Sequence, residues 1–269
     1  MIAGDCKRRI REQLALDYCC TPQEAADREN HFTIYEPRKG RRRFEERSRT
    51  FLKAVSYRNK LLFTGDEKII EWCRSKFGNM EAAWFMEPGP MRELDRELEK
   101  YGYGIDKIHP FFVPRDEILE NRSLNCENDN SGNCGYEVRL YRGDEIEVFR
   151  GDRRFGYAFS FCETAPDVIG AAAVREGEIL GMAGASADSD TFWQIGIDIT
   201  QEARGLGIGK ALVTRLRDEI LKCDKVPYYG TAVSHTLSQN IAVLSGFRPA
   251  WTELTTTDSA ADSGKTEGD

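Results

Sequence analysis

The chain has 269 residues, of which 40% are hydrophobic and 31% are charged, so it can build the core of one large domain or two small ones. The formal net charge of -7 argues against a general nucleic-acid binder, which usually carries a basic surface. Eight cysteines and three histidines show no zinc-ligand spacing, and no apolar run is long enough for a signal-peptide core or a membrane span. We therefore expect a cytoplasmic protein with no metal, no nucleic acid and no membrane among its partners.

The N-terminal part predicts an α/β domain over residues 1–115. An amphipathic helix is expected over residues 5–19, and Thr21-Pro22-Gln23-Glu24 matches a capping box with proline at the first helical position. The basic stretch 38–49 is interpreted as a solvated loop rather than a binding patch, since acidic residues follow its arginines at once.

The rest of this domain alternates between strands and helices. Strands over 50–57 and 60–64 form a predicted hairpin around Arg58-Asn59, and helices are expected to begin at Asp66 and at Pro90. An apolar strand then runs to Val113. The polar stretch 116–135 follows, and it is predicted to be a linker or an exposed loop.

A second domain is predicted over 136–254, followed by a disordered acidic tail over 255–269. Its first elements are a strand from Tyr136, a helical region over 144–159 and a hairpin that turns at Glu176-Gly177.

The stretch from Phe192 to Gly209 carries the strongest signal. Isoleucines at 195, 197 and 199 alternate with Gln194, Gly196 and Asp198, which predicts a half-buried strand. Glycines follow at 205, 207 and 209, and from Ile208 onward apolar residues recur with the period of a helix. Unpaired backbone N–H groups at such a helix start suit an anion, although a bare glycine turn can also be a simple tight connection.

The spacing of these glycines shows which known anion-binding motif the stretch can match. A Walker loop requires glycine in place of Arg204, and a Rossmann fingerprint requires two residues between its second and third glycines. Arg204, two residues, Gly207, one residue and Gly209 instead resemble the pyrophosphate loop of the GNAT superfamily of acyl-CoA-dependent acyltransferases. A predicted strand over 228–233, a helix over 236–245 and then Gly246-Phe247 follow in the order of that family.

The resemblance implies an α/β fold with a mixed sheet, GNAT-like over 136–254, and acetyl-CoA as co-substrate. The helix, Gly102-Tyr103 and strand of the first domain echo the end of the second, so that domain is either a degenerate GNAT-like half or an ordinary α/β arrangement. By position, pantetheine contacts fall on Ile197 and Ile199. The other implied cofactor contacts fall on Arg204, Gly205, Gly207, Ile208, Gly209, Lys210 and His235.

For the reaction, the resemblance implies direct attack of an amine on the thioester in a ternary complex. Asp198 has the chemistry of a base, but it can also be an exposed or loop-bracing carboxylate, and Asp188 and Asp190 lie in the preceding hairpin. His235 stands where the family usually has asparagine; it is a candidate acid or base, or a helix-capping or surface histidine.

One further position departs from the family. Ala242 replaces the tyrosine that usually serves as the thiolate acid, whereas Ser238 matches the small residue of some branches. The expected function is acetyl transfer from acetyl-CoA to an amine of a small molecule. Two alternatives stay open: a non-catalytic acyl-CoA-binding sensor, and a protein N-acetyltransferase whose N-terminal half binds the acceptor.

Overall fold

The computed structural model describes residues 1–46, 49–120 and 135–259, which divide by their contacts into two compact units. Unit 1 consists of Met1–Arg9, the described residues of 112–231 and His235–Pro249. Unit 2 consists of Ile10–Phe111, Ala232–Ser234 and the described residues from Ala250 onward. Each unit combines segments from the N-terminal and the C-terminal parts of the chain, so this division differs from the predicted boundaries.

Unit 2 is a mixed sheet with helices packed on it. Its strand order is β1-β3-β2-β10-β4, with β1 parallel to β3 and with β2 antiparallel to both β3 and β10. Apolar side chains of β2, β3, α2 and α3 form its core, which includes Leu52, Phe63, Phe77 and Leu98. The elements are α1 (Ala3–Asp17), β1 (His31–Ile34), β2 (Leu52–Tyr57), β3 (Lys60–Gly65), α2 (Glu67–Phe77), α3 (Pro88–Glu99), β4 (Tyr103–Pro114) and β10 (Phe247–Asp258), of which α1, β4 and β10 continue into unit 1.

In unit 2, the sequence predicts the turns and helix caps correctly where residues close in the chain determine them. The hairpin turns at Arg58 and Asn59, both with positive φ, and Asp66 caps α2 by accepting a hydrogen bond from the Lys68 N–H. The capping box at Thr21 and Glu24 also forms, with bonds of 2.7 and 3.1 Å. However, only turns follow it, so the predicted helix is wrong.

The basic stretch is not a solvated loop throughout. The side chain of Arg42 is only 6% exposed and contacts Asp17 and Glu253, and Arg41 donates to the Asp17 carbonyl at 2.6 Å. Part of the basic stretch is therefore buried, because its arginines pair with buried carboxylates that lie far away in the sequence.

Unit 1 contains the strand order β4-β9-β8-β7-β6-β5, in which β8 and β9 are parallel and the pairs from β5 to β8 are antiparallel. Helix α5 covers one face through Leu212, Leu216 and Ile220, and the segment around Phe149 and Phe159 covers the other. The elements, in addition to the shared ones, are α4 (Asp116–Glu120), β5 (Glu137–Arg142), β6 (Asp167–Arg175), β7 (Glu178–Ala187), β8 (Phe192–Ile199), α5 (Ile208–Lys222), β9 (Val226–Gly230) and α6 (Thr236–Leu244).

Three predicted segments differ in the structure. The region 144–159 forms short 3₁₀ turns, Gly143–Phe149 and Arg153–Phe155, rather than one helix. The strand expected over 228–233 ends at Gly230. The chain pairs beyond residue 254, since Thr255 lies opposite Lys53 in the β10–β2 ladder. Most of the predicted linker, and the tail from residue 260, lie outside the described residues.

Candidate active site

Strand β8 is paired unequally along its two edges. On one side it pairs with β7 from Trp193 to Ile199, whereas on the other its ladder with β9 covers only Phe192 to Ile195. Among the described residues, the backbone of Gly196–Ile199 therefore has no strand partner on the β9 side. Along this stretch, the N–H and C=O groups of Ile197 and Ile199 point away from β7 and remain available to an extended ligand that can continue the ladder.

The chain turns from β8 into α5 through a 3₁₀ turn and two left-handed glycines. Gly205 has φ of +82° and Gly207 has φ of +75°, a region that glycine enters without a steric penalty. Gly207 is the N-cap of α5 and supplies no side-chain hydrogen bond. The first N–H groups of α5 are thus left for another acceptor.

The predicted phosphate-binding residues contribute in different ways. Arg204, Gly205, Gly207 and Lys210 are exposed around the start of α5, so they can approach an anion. Ile208 is buried in the core, which limits its predicted contact to its backbone N–H. Gly209 is also buried, and a Cβ added there would lie 3.0 Å from Cδ1 of Ile241 in α6.

The two predicted pantetheine contacts are also limited to the backbone. The side chains of Ile197 and Ile199 pack against the core that β8 shares with α5. Ile197 contributes to the packing around Gly209, whose added Cβ would lie 3.7 Å from Ile197 Cδ1. Their backbone groups lie on the open edge of β8.

Asp198 lies on the opposite face of β8 and holds a loop. Its Oδ2 accepts hydrogen bonds of 2.8 Å from the N–H groups of Tyr157 and Ala158. Burial raises the pKa of Asp198 above its ordinary value, and the two hydrogen bonds partly oppose that rise. The geometry matches the loop-bracing alternative stated from the sequence.

A row of glycines explains why this loop can lie so close to the sheet. Gly170, Gly184 and Gly196 are directly opposite one another on β6, β7 and β8. A Cβ added at Gly184 or Gly196 would overlap the carbonyl oxygens of Ala158 and Tyr157, respectively. Only hydrogen in place of a side chain leaves room for that backbone.

His235 lies between β9 and α6. It is exposed, it is the N-cap of α6 without a side-chain hydrogen bond to the helix, and its carbonyl accepts from the Gln239 N–H at 3.1 Å. Its imidazole is therefore on the surface at the start of the helix that follows the open end of the β8–β9 ladder.

The prediction of site residues omitted Tyr229, one of two adjacent tyrosines in β9. Tyr229 is 2% exposed, and its Oη lies 2.6 Å from the Oγ of Ser238 in α6. Tyr228 points to the other face and donates to Asp188 and to Gln194. Two adjacent tyrosines in a predicted strand indicate one phenol on each face of the sheet, because neighbouring side chains of a strand point to opposite faces.

The described residues contain no helix that is both long and apolar enough to cross a membrane. Within the same residues, no group of three or more His, Cys, Asp or Glu side chains is arranged to hold a metal ion.

Comparison with known proteins relates the segment that carries this site to one protein family. Residues 136–246 match the model of the acetyltransferase (GNAT) family. No curated protein matches the chain significantly.

Solved structures of low identity were also found. A GCN5-related N-acetyltransferase-like protein from Streptococcus suis is 15% identical, with 61% of this chain and 67% of that one covered and a TM-score of 0.41. An acetyltransferase of the GNAT family from Colwellia psychrerythraea is 12% identical, with 56% of each chain covered and a TM-score of 0.40. An aminoglycoside N-acetyltransferase solved in complex with CoA is 18% identical, with 43% of this chain and 89% of that one covered and a TM-score of 0.34. The alignment with the Colwellia protein thus covers little more than half of that protein.

Proposed function

We propose that this protein, whose residues 136–246 form a domain of the acetyltransferase (GNAT) family, transfers an acetyl group from acetyl-CoA to an amine of a small molecule. The observation that carries the proposal is the open edge of β8 next to the start of α5. One extended molecule with an anionic end can use both features at once.

The pyrophosphate of the cofactor is assigned to the start of α5. The unpaired N–H groups of Ile208, Gly209 and Lys210 point away from the helix, where its dipole favours negative charge. The exposed side chains of Arg204 and Lys210 add positive charge. The absence of a Cβ at Gly205 and Gly207 leaves the backbone accessible to a bulky diphosphate.

The pantetheine arm is assigned to the edge of Gly196–Ile199. Its amide groups can replace the strand partner that β9 provides only as far as Ile195. The thioester would then lie where the two strands separate. His235 would lie at the start of α6 beside this opening, in reach of the cofactor.

The acceptor amine is assigned to the face of β8 that carries Asp198. The loop at Tyr157 and Ala158 is fixed on that face by Asp198, and Tyr157 is 84% exposed. A neutral amine attacks the thioester carbon, and positioning supplies much of the rate. We keep Asp198 and His235 as candidate proton acceptors, although the hydrogen bonds of Asp198 favour a bracing role.

The replacement of the family tyrosine by Ala242, which is fully buried, favours the alternative of a non-catalytic acyl-CoA sensor. Binding and turnover measured together separate the two functions. We expect calorimetry to show CoA binding, and acetyl-CoA to release free thiol in the presence of at least one amine of a small-molecule panel. Binding without thiol release from any amine would support the sensor.

A peptide panel tests the remaining alternative. A protein N-acetyltransferase would release thiol with peptides and not with free small amines, whereas we expect the reverse. The proposed role of residues 1–115 in acceptor recognition is tested by the same panels, because substitutions there should change KM for the amine and leave CoA affinity unaltered.

A further inference from the structure

The ladder between β8 and β9 ends at the candidate site, and its last pair contains a buried tyrosine. Tyr229 is opposite Ile195 in the last register pair between β8 and β9. Beyond this pair the two strands no longer hydrogen-bond, so Tyr229 marks the point at which the opening between them begins. Its side chain lies on the α5 side of the sheet and packs with Leu212, Ala242 and Phe247.

A serine fixes the direction of that phenol. Ser238 and Ala242 form the buried face of α6, one helical turn apart, and the Oγ of Ser238 is 2.6 Å from the Oη of Tyr229. If Ser238 donates to Tyr229, the phenolic proton remains free to point elsewhere, because a hydroxyl both donates and accepts. Ala242 is fully buried in the same core.

From this geometry we infer that Tyr229 donates a hydrogen bond to the cofactor sulfur and stabilises the thiolate that leaves, with Ser238 as its positioning residue. The inference rests on the proposed function, because it requires the thioester to lie where β8 and β9 separate. Tyr229 of β9 would thus stabilise the leaving thiolate, which the methyl side chain of Ala242 cannot do.

The step balances without another reactant. The amine nitrogen forms a bond to the thioester carbon, the carbon–sulfur bond breaks, and its electron pair stays on sulfur. The amine proton passes to a base or to water. The negative charge on sulfur accepts the hydrogen bond from Tyr229, and the thiolate takes a proton from solvent when CoA leaves.

Tyr229 keeps its own proton in this step. Burial raises the pKa of Tyr229 above its ordinary value of 10.0, while the hydrogen bond between Tyr229 and Ser238 partly opposes the rise. An alkyl thiol ionises at about 8.5, so full transfer from the phenol to the thiolate is uphill. Tyr229 therefore acts as a hydrogen-bond donor to sulfur over the working pH range.

The thiol of bound CoA gives a direct test without turnover. The ultraviolet absorbance of the thiolate is recorded against pH for saturated complexes of wild type and Tyr229→Phe, with desulfo-CoA as the blank. Loss of the donor should leave about tenfold less thiolate at a given pH, because hydrogen bonds to charged groups are among the stronger ones. CoA affinity should remain within about threefold, since neutral contacts are unchanged.

Tyr228→Phe is the matched control for this titration. It removes the same atom from the neighbouring residue on the other face of β9, where the hydroxyl bonds to Asp188. Its complex should titrate like the wild type. Ser238→Ala should shift the titration in the same direction as Tyr229→Phe, by a smaller amount, because the phenol loses its positioning partner.

The outcomes separate this inference from the proposed function. An unchanged titration in Tyr229→Phe, or an equal shift in Tyr228→Phe, would overturn the inference. If wild type does not bind CoA, both the cofactor site and the role of Tyr229 are wrong. If the shift appears and no amine releases thiol, the contact to sulfur is retained and the transferase assignment fails.

Discussion

The row formed by Gly170, Gly184 and Gly196 shows how single residues shape the face of the sheet to which we assign the acceptor. At Gly196, a methyl group would overlap the carbonyl oxygen of Tyr157, and at Gly184 it would overlap that of Ala158. These glycines are required by a close approach of backbone and not by an unusual φ. The sequence does not reveal this role, because the alignment of positions 170, 184 and 196 depends on the pairing of three strands.

We predict that Gly196→Ala lowers the free energy of unfolding by about 1–3 kcal/mol, because the loop must move away from β8. Gly156→Ala is the control. Its φ of -71° suits alanine, and an added Cβ would lie 3.9 Å from its nearest neighbour. It should be neutral or stabilise by a few tenths to about 1 kcal/mol. Urea denaturation measures both, and equal stability of Gly196→Ala and wild type would remove the proposed role of the glycine.

At the scale of elements, a buried charge cluster links α1, the basic stretch and β10 in unit 2. Arg42 contacts Asp17 and Glu253, and Lys53 lies 3.3 Å from Glu253. Burial alone would raise the pKa of Glu253, but Arg42 and Lys53 more than offset it and lower that pKa from 4.5 to about 2. The ionised carboxylate is therefore favoured in the folded state.

This cluster predicts a pH dependence of stability. A carboxylate with a lowered folded pKa stabilises the protein above its unfolded pKa and loses that contribution as pH falls toward the folded value. Glu253→Gln should therefore lower the free energy of unfolding by roughly 3 kcal/mol at pH 7. The difference from wild type should narrow between about pH 5 and pH 2.

Denaturant titrations at several pH values check this expectation, with Glu36→Gln as the control. Glu36 forms an exposed pair with Arg38, with its side chain 66% exposed, so that substitution should change stability by less than about 1 kcal/mol at any pH. A difference between Glu253→Gln and wild type that stays constant with pH would contradict the role of the ionised carboxylate.

Elements whose signals are local could be predicted from the sequence. The hairpins at Arg58-Asn59 and Glu176-Gly177 turn where expected, with positive φ at all four residues, which Asn59 and Gly177 adopt readily. Helix α5 begins after Gly207, as the glycine spacing indicates. The capping box at Thr21 forms without a helix, because capping alone does not sustain helical turns. Helical composition over 144–159 was misleading for a related reason, since packing on the sheet determines that segment.

At the scale of the whole molecule, the division of the chain could not be predicted from composition. Met1–Arg9 belongs to unit 1 although the helix α1 continues into unit 2, and Lys7 and Arg9 form ion pairs with Asp116 and Asp224. β10 extends beyond the predicted end of the second domain because Thr256 bonds to the backbone of Leu52. Such contacts join positions far apart in the sequence, so the polar composition near residue 255 does not reveal them.

The candidate site could be predicted from the sequence more fully than the division of the chain into two units. Apart from His235, the proposed cofactor residues lie within one strand, turn and helix, and the family match over residues 136–246 covers them. Tyr229 was missed because its partner Ser238 is brought near by the packing of α6, and the bracing role of Asp198 depends on a loop that precedes it by two strands.

Calorimetric titration of CoA into wild type, Gly207→Val and Gly177→Val tests the proposed cofactor site most directly. Gly177 turns between β6 and β7 with φ of +86°, close to the +75° of Gly207, and a Cβ at either position meets no atom within 4 Å. The two variants therefore carry similar backbone strain, and only one lies at the start of α5. We predict that wild type and Gly177→Val bind CoA alike and that Gly207→Val loses at least tenfold in affinity, since a branched side chain blocks the diphosphate. Equal affinity of Gly207→Val and wild type would contradict the assignment of the pyrophosphate to this turn.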